Sequence, residues 1–292
     1  MRGSALAAAL VDQGIEARVL VPAERVGVAV ALGAPHLAVE RPAGAEALRE
    51  TIEAHLLEHE ARWLVLDTFA EGLYDELDGL RSSVGRIALL RCRRDAHEPR
   101  LARGLARCAH AVDLEPHLSW CPAAMEVEPF GPVTRALGSE PAEAEVLVVG
   151  TEGPLQGFGR RLAERLAAHG CRVARVDAEG LHGLGPTRPA FPLSASVLRA
   201  RVVVGPAGFN LSYEIRALGG WHLALPRARP YDDQARRARA LAETASSPAA
   251  VERKVLQLLR APPPADRSPR VRAMSELADL LARCMGSRDH RQ

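Results

Sequence analysis

Short apolar runs alternate with amphipathic stretches along most of this chain, stop at residues 115–143, and then start again. Such alternation is the mark of parallel α/β layers, where helices cover both faces of a sheet. In the first half the strand candidates are Ala17–Val21, Leu37–Val39, Trp63–Asp67, Arg86–Arg91 and Ala109–Leu114, with helices clearest over 44–60 and 71–80. Prolines at 116, 122, 129, 132 and 141 mark a linker or an extended crossing segment. Strands then recur at Glu145–Gly150, Cys171–Asp177, Arg201–Val204 and Trp221–Leu225, and helices over 157–169, 194–200, 210–218, 232–244, 248–260 and 270–285. The expected fold class is α/β, built as two Rossmann-like domains in tandem.

The 292 residues suffice for two ordinary domains. A net charge of +2 carries no polyanion-binding signature, and 4% aromatic residues argue against base stacking on single-stranded nucleic acid. Lys254 is the one lysine among many arginines, which reads as compositional bias rather than a binding face. No run approaches the ~18 apolar residues of a membrane span, and no signal peptide is evident. Five scattered cysteines without a CxxC pair point to a reducing cytoplasm, with no disulfide framework or zinc site.

Four segments carry candidate chemistry. In GPAGFNLSYE, 205–214, a strand breaks at Gly205 and Gly208 and a helix opens near Asn210. Free amides at such a helix start hold phosphate oxygens without a metal. Glu214 lies roughly 6 Å further along the helix axis, at ~1.5 Å per residue, where a carboxylate can accept from both ribose hydroxyls. An ordinary strand–turn–helix with a surface glutamate is the even alternative. In RPYDDQARRAR, 229–239, Asp232, Asp233 and Gln234 follow a strand end, where open α/β sheets place ligands. Taken alone, that cluster is better read as a helix cap.

In VLVVGTEGPLQGFGRRLAERL, 146–166, the loop at Gly150, Thr151 and Gly153 can approach a diphosphate from the other side, although its spacing is not GxGxxG. In WLVLDTFAEGLYDEL, 63–77, Asp67 closes a strand and is a candidate general base; a helix cap is the stronger reading of that residue by itself. His97, in RCRRDAHEP, is a more distant candidate. His55 and His59 share a helix face with Glu58, but the order is not HExxH and a solvated face is expected, with no metal. Neither GxSxG nor a Walker A motif occurs.

Taken together, residues 202–241 resemble the C-terminal domain of the GT-B glycosyltransferases. The likeness is to family 28, which includes the peptidoglycan GlcNAc transferase, and more closely to a set of predicted bacterial glycosyltransferases. The pattern of that set reads like GGYNTxxE…PxLxxPRxxPxxEQxxRAxxL. This chain has AGFNLSYE at 207–214, LALPRARPYDDQARRARAL at 223–241, GPVTR at 131–135 like the interdomain linker, and DTFAEGLYDEL at 67–77 like the N-terminal domain. Phe209 stands where the pattern has tyrosine.

The resemblance implies two Rossmann-like domains facing a central cleft. Residues 1–135 would be the acceptor-side domain plus linker, and 136–292 the donor domain, with the last helix a candidate to pack back on the first. It implies that Glu214 binds the donor ribose, that Gly205, Gly208 and Asn210 lie at the diphosphate, and that Asp233 and Gln234 reach the transferred sugar. The family carries a strand and a GxGH-like loop before its first helix, whereas here Gly3–Gln13 already reads as that helix. The N-terminal domain is therefore expected to be incomplete, either because that segment lies upstream of Met1 or because it is lost.

The expected activity is inverting, metal-independent transfer of a hexose-type sugar from a nucleotide-diphosphate donor, a UDP-sugar first, to an acceptor hydroxyl. The nucleotide sugar is then a substrate and no cofactor is expected. The alternatives are a catalytically impaired nucleotide-sugar-binding protein, or a GT-B-fold epimerase or hydrolase. The expected location is cytoplasmic, with peripheral contact at the inner face of the membrane left open, and nucleic acid is not an expected partner.

Overall fold

The computed structural model describes all residues except 1, 41–43, 73–74, 81–82, 95–98, 119, 121–126, 151–153, 178, 188, 190, 230, 246, 266–268 and 287–292. The chain divides into two compact units, Met1–Val133 with Arg272–Gln292, and Thr134–Val271.

The first unit opens on α1 (Arg2–Asp12), which buries Ala5, Leu6, Ala7 and Leu10. It continues through β1 (Val19–Pro22), α2 (Val26–Ala31), β2 (His36–Val39), α3 (Ala45–Glu58), β3 (Trp63–Asp67), β4 (Gly85–Leu90), α4 (Pro99–Leu105), β5 (His110–Asp113), β6 (Glu128–Pro129) and β7 (Val133–Thr134). Strands β1 to β6 form two sheets. β1 pairs with β2, and β3–β4–β5–β6 forms a second sheet, every pair in both being parallel. Every residue of β4 is buried, because both faces are covered. Ala88 and Leu90 pack with Leu101 and Leu105 of α4, whereas Leu66 of β3 packs with Ile52 of α3.

The expected helix over 71–80 does not form. Gly72 and Asp75 take φ of +89° and +61°, and the described residues 75–79 make turns instead. A left-handed residue at either position breaks the i→i−4 ladder. The short helices α2 and α4 are not anticipated by the apolar pattern.

The second unit is a doubly wound sheet. It runs through β8 (Val146–Val149), α5 (Pro154–Ala168), β9 (Val173–Val176), β10 (Leu181–His182), α6 (Ala195–Leu198), β11 (Val202–Gly205), α7 (Phe209–Leu218), β12 (Trp221–Ala224), α8 (Gln234–Leu241), β13 (Glu243–Thr244) and α9 (Pro248–Arg260). The strand order is β10–β9–β8–β11–β12–β13, parallel except at β10. Alternate residues face opposite sides. Leu147, Val149 and Val203 pack with Val197, Leu198 and Ile215 from α6 and α7. Val146, Val148, Val202 and Val204 pack with Leu162 and Leu166 of α5 and with Val251, Val255 and Leu258 of α9. Two residue layers per strand account for the continuous apolar runs.

The chain then returns to the first unit through β14 (Arg272–Ala273), which pairs with β7, and α10 (Met274–Gly286). Helix α10 buries Leu277, Ala278 and Leu281 and packs on α1. There Gln13 donates to Asp279 Oδ1 at 2.6 Å. The fold is thus the expected α/β arrangement with two Rossmann-like units.

Candidate functional site

In the second unit the strand order reverses at β8. Its partner β9 lies on one side and β11 on the other. In open parallel sheets the crevice beyond the carboxyl ends of such a pair receives the ligand. Here the two strand ends carry Gly150 and Gly205. The amide of Gly150 donates to Val176 O at 2.8 Å, extending the sheet by one residue. Thr151 and Gly153 lie outside the described residues.

Gly205 and Gly208 are glycines for different reasons. A Cβ on Gly205 would sit 3.0 Å from Val149 Cβ and 3.2 Å from Leu211 Cδ2, so its missing side chain lets α7 close onto the end of β8. Gly208 is the N-cap of α7, with φ −69° and ψ 149°, and a Cβ there would meet nothing within 4 Å. No side chain caps α7. In its first turn the amides of Asn210 and Leu211, both half-buried, have no intrahelical partner, and the positive end of the helix faces the crevice side of the sheet. That is an anion-binding arrangement.

One turn further, α7 buries Tyr213, Glu214 and Ile215. Arg135 Nε donates to Glu214 Oε1 at 2.8 Å, and the guanidinium also donates to Leu193 O. Burial pushes the Glu214 carboxyl above the usual range, and the neighbouring Arg135 opposes that shift. Glu214 is therefore a buried acid with a single built-in counter-ion among the described residues, not the surface glutamate of the bland reading.

The acidic cluster sits beside the glycine turn, joined to it by a residue that the sequence reasoning passed over. The fully buried Arg237, on α8, donates to Ala207 O and to Asp232 Oδ1, both at 2.8 Å. Asp232 Oδ2 accepts from Gln234 Nε2 at 3.1 Å, and Gln234 Oε1 accepts from Arg227 N at 3.0 Å. Asp233 caps α8, accepting from Arg236 N at 3.0 Å. Capping is therefore one role of this cluster, and bracing the loop before α8 against the turn before α7 is another. Arg237 and Arg135 lie within the motifs that carry the resemblance, but a buried arginine looks like a surface arginine in sequence until its partners are in place.

His222, on β12, lies under the same turn and is wholly enclosed. Burial pushes its imidazole pKa down to about 4, and the backbone of Gly205 and Pro206 pulls weakly the other way. Between the free-histidine value of 6.5 and about 4, the unfolded chain binds a proton that the folded chain refuses, so stability falls as pH falls through that window. We expect wild-type protein to lose on the order of 3 kcal/mol from this group across the window. Urea titrations at both ends should show a smaller loss in His222→Leu, and equal losses in the two proteins would refute the assignment.

In the first unit Asp67 ends β3. Its carboxylate is ion-paired with Arg2 and accepts from Thr68 Oγ1 at 3.1 Å. Thr68 has φ +85°, a strained value for a β-branched residue, and Arg93 Nη1 holds its carbonyl at 3.0 Å. His97 lies outside the described residues. His55 and Glu58 at the end of α3 cluster with His59 just beyond it, as do Asp177, Glu179 and His182 near β9. Asp177 already accepts from Glu179 N, Gly180 N, His182 Nε2 and Arg175, which leaves it poorly placed as a metal ligand.

No protein-family model matches this sequence, and no curated protein matches it. Solved structures do. The glycotransferase of kitacinnamycin aligns over 97% of this chain and 95% of its own, with TM-score 0.63 and 17% identity. The Streptomyces sp. SF2575 glycosyltransferase SsfS6, complexed with thymidine diphosphate, aligns over 97% and 96%, with TM-score 0.64 and 15% identity. Acinetobacter baumannii MurG aligns over 97% and 95%, with TM-score 0.58 and 12% identity. At these identities the likeness establishes the fold, which is that of the GT-B glycosyltransferases.

Proposed function

We propose that this protein is a glycosyltransferase that moves a hexose-type sugar from a nucleoside-diphosphate donor to an acceptor hydroxyl. The observation that carries the reading is the uncapped start of α7 at the switch point, with buried Glu214 one turn beyond it. Amides in that position can take the diphosphate and stabilise the charge that grows on it as the sugar leaves, which supports a metal-independent reaction. Glu214 would accept from the ribose. Asp233 and Gln234 would reach the transferred sugar, beside Asp232, which Arg237 and Gln234 hold in place.

In this reading the second unit binds the donor and the first binds the acceptor. Attack by the acceptor hydroxyl on the anomeric carbon, opposite the leaving diphosphate, inverts that centre. Asp67 is our first candidate for the base that removes the hydroxyl proton, and His97 is the second. A uridine donor is our first choice. A thymidine donor has support of its own, since two structures of the same fold are described with thymidine diphosphate. No helix among the described residues is long and apolar enough to cross a membrane. We place the reaction in the cytoplasm, where peripheral contact would bring lipid-linked acceptors within reach.

The test is product analysis with UDP- and dTDP-hexoses, with and without hydroxyl acceptors. We expect nucleotide release that depends on the acceptor, with the sugar recovered on it in inverted configuration. Free sugar or an epimerised donor would favour the hydrolase or epimerase. Tight binding without turnover would favour a binding protein. In parallel, nucleotide at 100 times its Kd should add about 2.7 kcal/mol of stability by mass action.

A further inference from the structure

Arg135 lies in the second unit just beyond β7, far in sequence from both groups it holds. Its side chain is 13% exposed and that of Glu214 is 5% exposed. The guanidinium is anchored at two points, Glu214 Oε1 and Leu193 O, so its plane is fixed and the carboxylate is fixed with it. Only one carboxylate oxygen is engaged. Among the described residues Oε2 of Glu214 has no hydrogen-bond donor, which leaves it for an incoming group.

We propose that Arg135 is a positioning residue, fixing the Glu214 carboxylate to accept hydrogen bonds from the 2′- and 3′-hydroxyls of a bound nucleoside diphosphate. This rests on the donor-site reading above and adds to it a residue that need not touch the ligand. The physical case is one of buried charge. A carboxylate enclosed in apolar surroundings takes up a proton unless a cation compensates it. A protonated carboxyl has lost acceptor capacity and competes as a donor. Among elements packed against α7, β12 contributes His222, which burial keeps neutral, and α6 contributes no titratable group. Arg135 is the ion-pair partner of Glu214.

The experiment is calorimetric titration with UDP and with 2′,3′-dideoxy-UDP, on wild type, Arg135→Met, Arg135→Lys, Glu214→Gln and the double variant Arg135→Met/Glu214→Gln. Arg135→Met should bind UDP about tenfold more weakly than wild type at about pH 7, the scale of a lost charge-assisted hydrogen bond. The loss should shrink as pH is raised and Glu214 ionises unaided. Arg135→Lys should recover most of the affinity. The loss should vanish for the dideoxy nucleotide and in the Glu214→Gln background, because Arg135 acts only through that carboxylate and those hydroxyls. An equal loss on both nucleotides, or additive losses in the double variant, would overturn the proposal.

Should Arg135→Met fail to fold, Arg135→Lys alone and combined with Glu214→Gln gives the same coupling. UDP binding by wild type with Arg135→Met unimpaired would overturn the role of Arg135 alone. Absence of nucleoside-diphosphate binding by wild type, tried with dTDP as well, would overturn the donor-site reading and this role with it.

Discussion

Replacing Gly208 with valine should weaken nucleoside-diphosphate binding at least about 100-fold, the scale on which overpacking and lost helix-terminus contacts combine. It should leave the fold almost untouched. The backbone there, φ −69° and ψ 149°, is open to any residue, and a Cβ meets no atom within 4 Å. Loss of glycine at an N-cap costs about 1 kcal/mol, or a melting shift within about 4 °C for a unit of this size. The added methyl groups would stand at the mouth of the α7 amides, where a phosphate has to approach. Gly205→Val offers the contrast. Its side chain would be driven against Val149 and Leu211, so it should cost about 1–3 kcal/mol in stability. If Gly208→Val binds nucleotide like wild type, the α7 terminus is not the phosphate site.

The largest stability effect is expected in the first unit. Glu71→Leu should destabilise the protein by about 3–5 kcal/mol, the cost of leaving one half of a buried ion pair uncompensated. Arg93 and Glu71 are 0% and 1% exposed and bond through both forks, at 2.7 Å and 3.3 Å. Arg93 also lies 5.2 Å from the Phe69 ring centre and holds the Thr68 carbonyl. The pair therefore braces the strained turn that carries Asp67. Replacing both partners, as Arg93→Met/Glu71→Leu, removes the two charges together and should recover much of the loss. Urea unfolding of the single and double variants reads this directly. A single-variant cost below about 1 kcal/mol would show that the turn does not depend on the pair.

Much of this architecture is legible in the residues. The runs at 146–149 and 202–205 are apolar at successive positions because helices cover both faces of the second sheet. Gly205 and Gly208 announce a turn, and Asp233 announces a cap. Other elements escape for physical reasons. The stretch 71–80 has the composition of a helix, and only the left-handed backbone at Gly72 and Asp75 ends that possibility. Helix α4, with seven residues, is too short for its period to stand out. The division of the first half into two sheets depends on pairing that no local pattern encodes.

The candidate site divides in the same way. Glu214 is readable as a candidate from its distance to the turn, but its burial is set by the packing of α7 on the sheet. Arg135 reaches Glu214, 79 residues away, and Arg237 joins Asp232 close by to Ala207, 30 residues away. Both fall in segments that carry the family resemblance, Arg237 on the arginine of the pattern and Arg135 at the end of GPVTR, but in a chain with one lysine and many arginines nothing local shows that they are buried. Asp232, Asp233 and Gln234 read in sequence as a helix cap, which Asp233 is, whereas Asp232 and Gln234 bond to each other and to the loop around them.

The central claim is that α7 and Glu214 hold a nucleoside diphosphate. Calorimetric titration of wild type and Glu214→Ala with UDP and dTDP tests it most directly. Wild type should bind at least one of the two saturably, and the variant should bind about tenfold or more weakly, as expected when a charged acceptor is removed. Equal affinity in the two proteins, or no binding of either nucleotide by wild type, would contradict it.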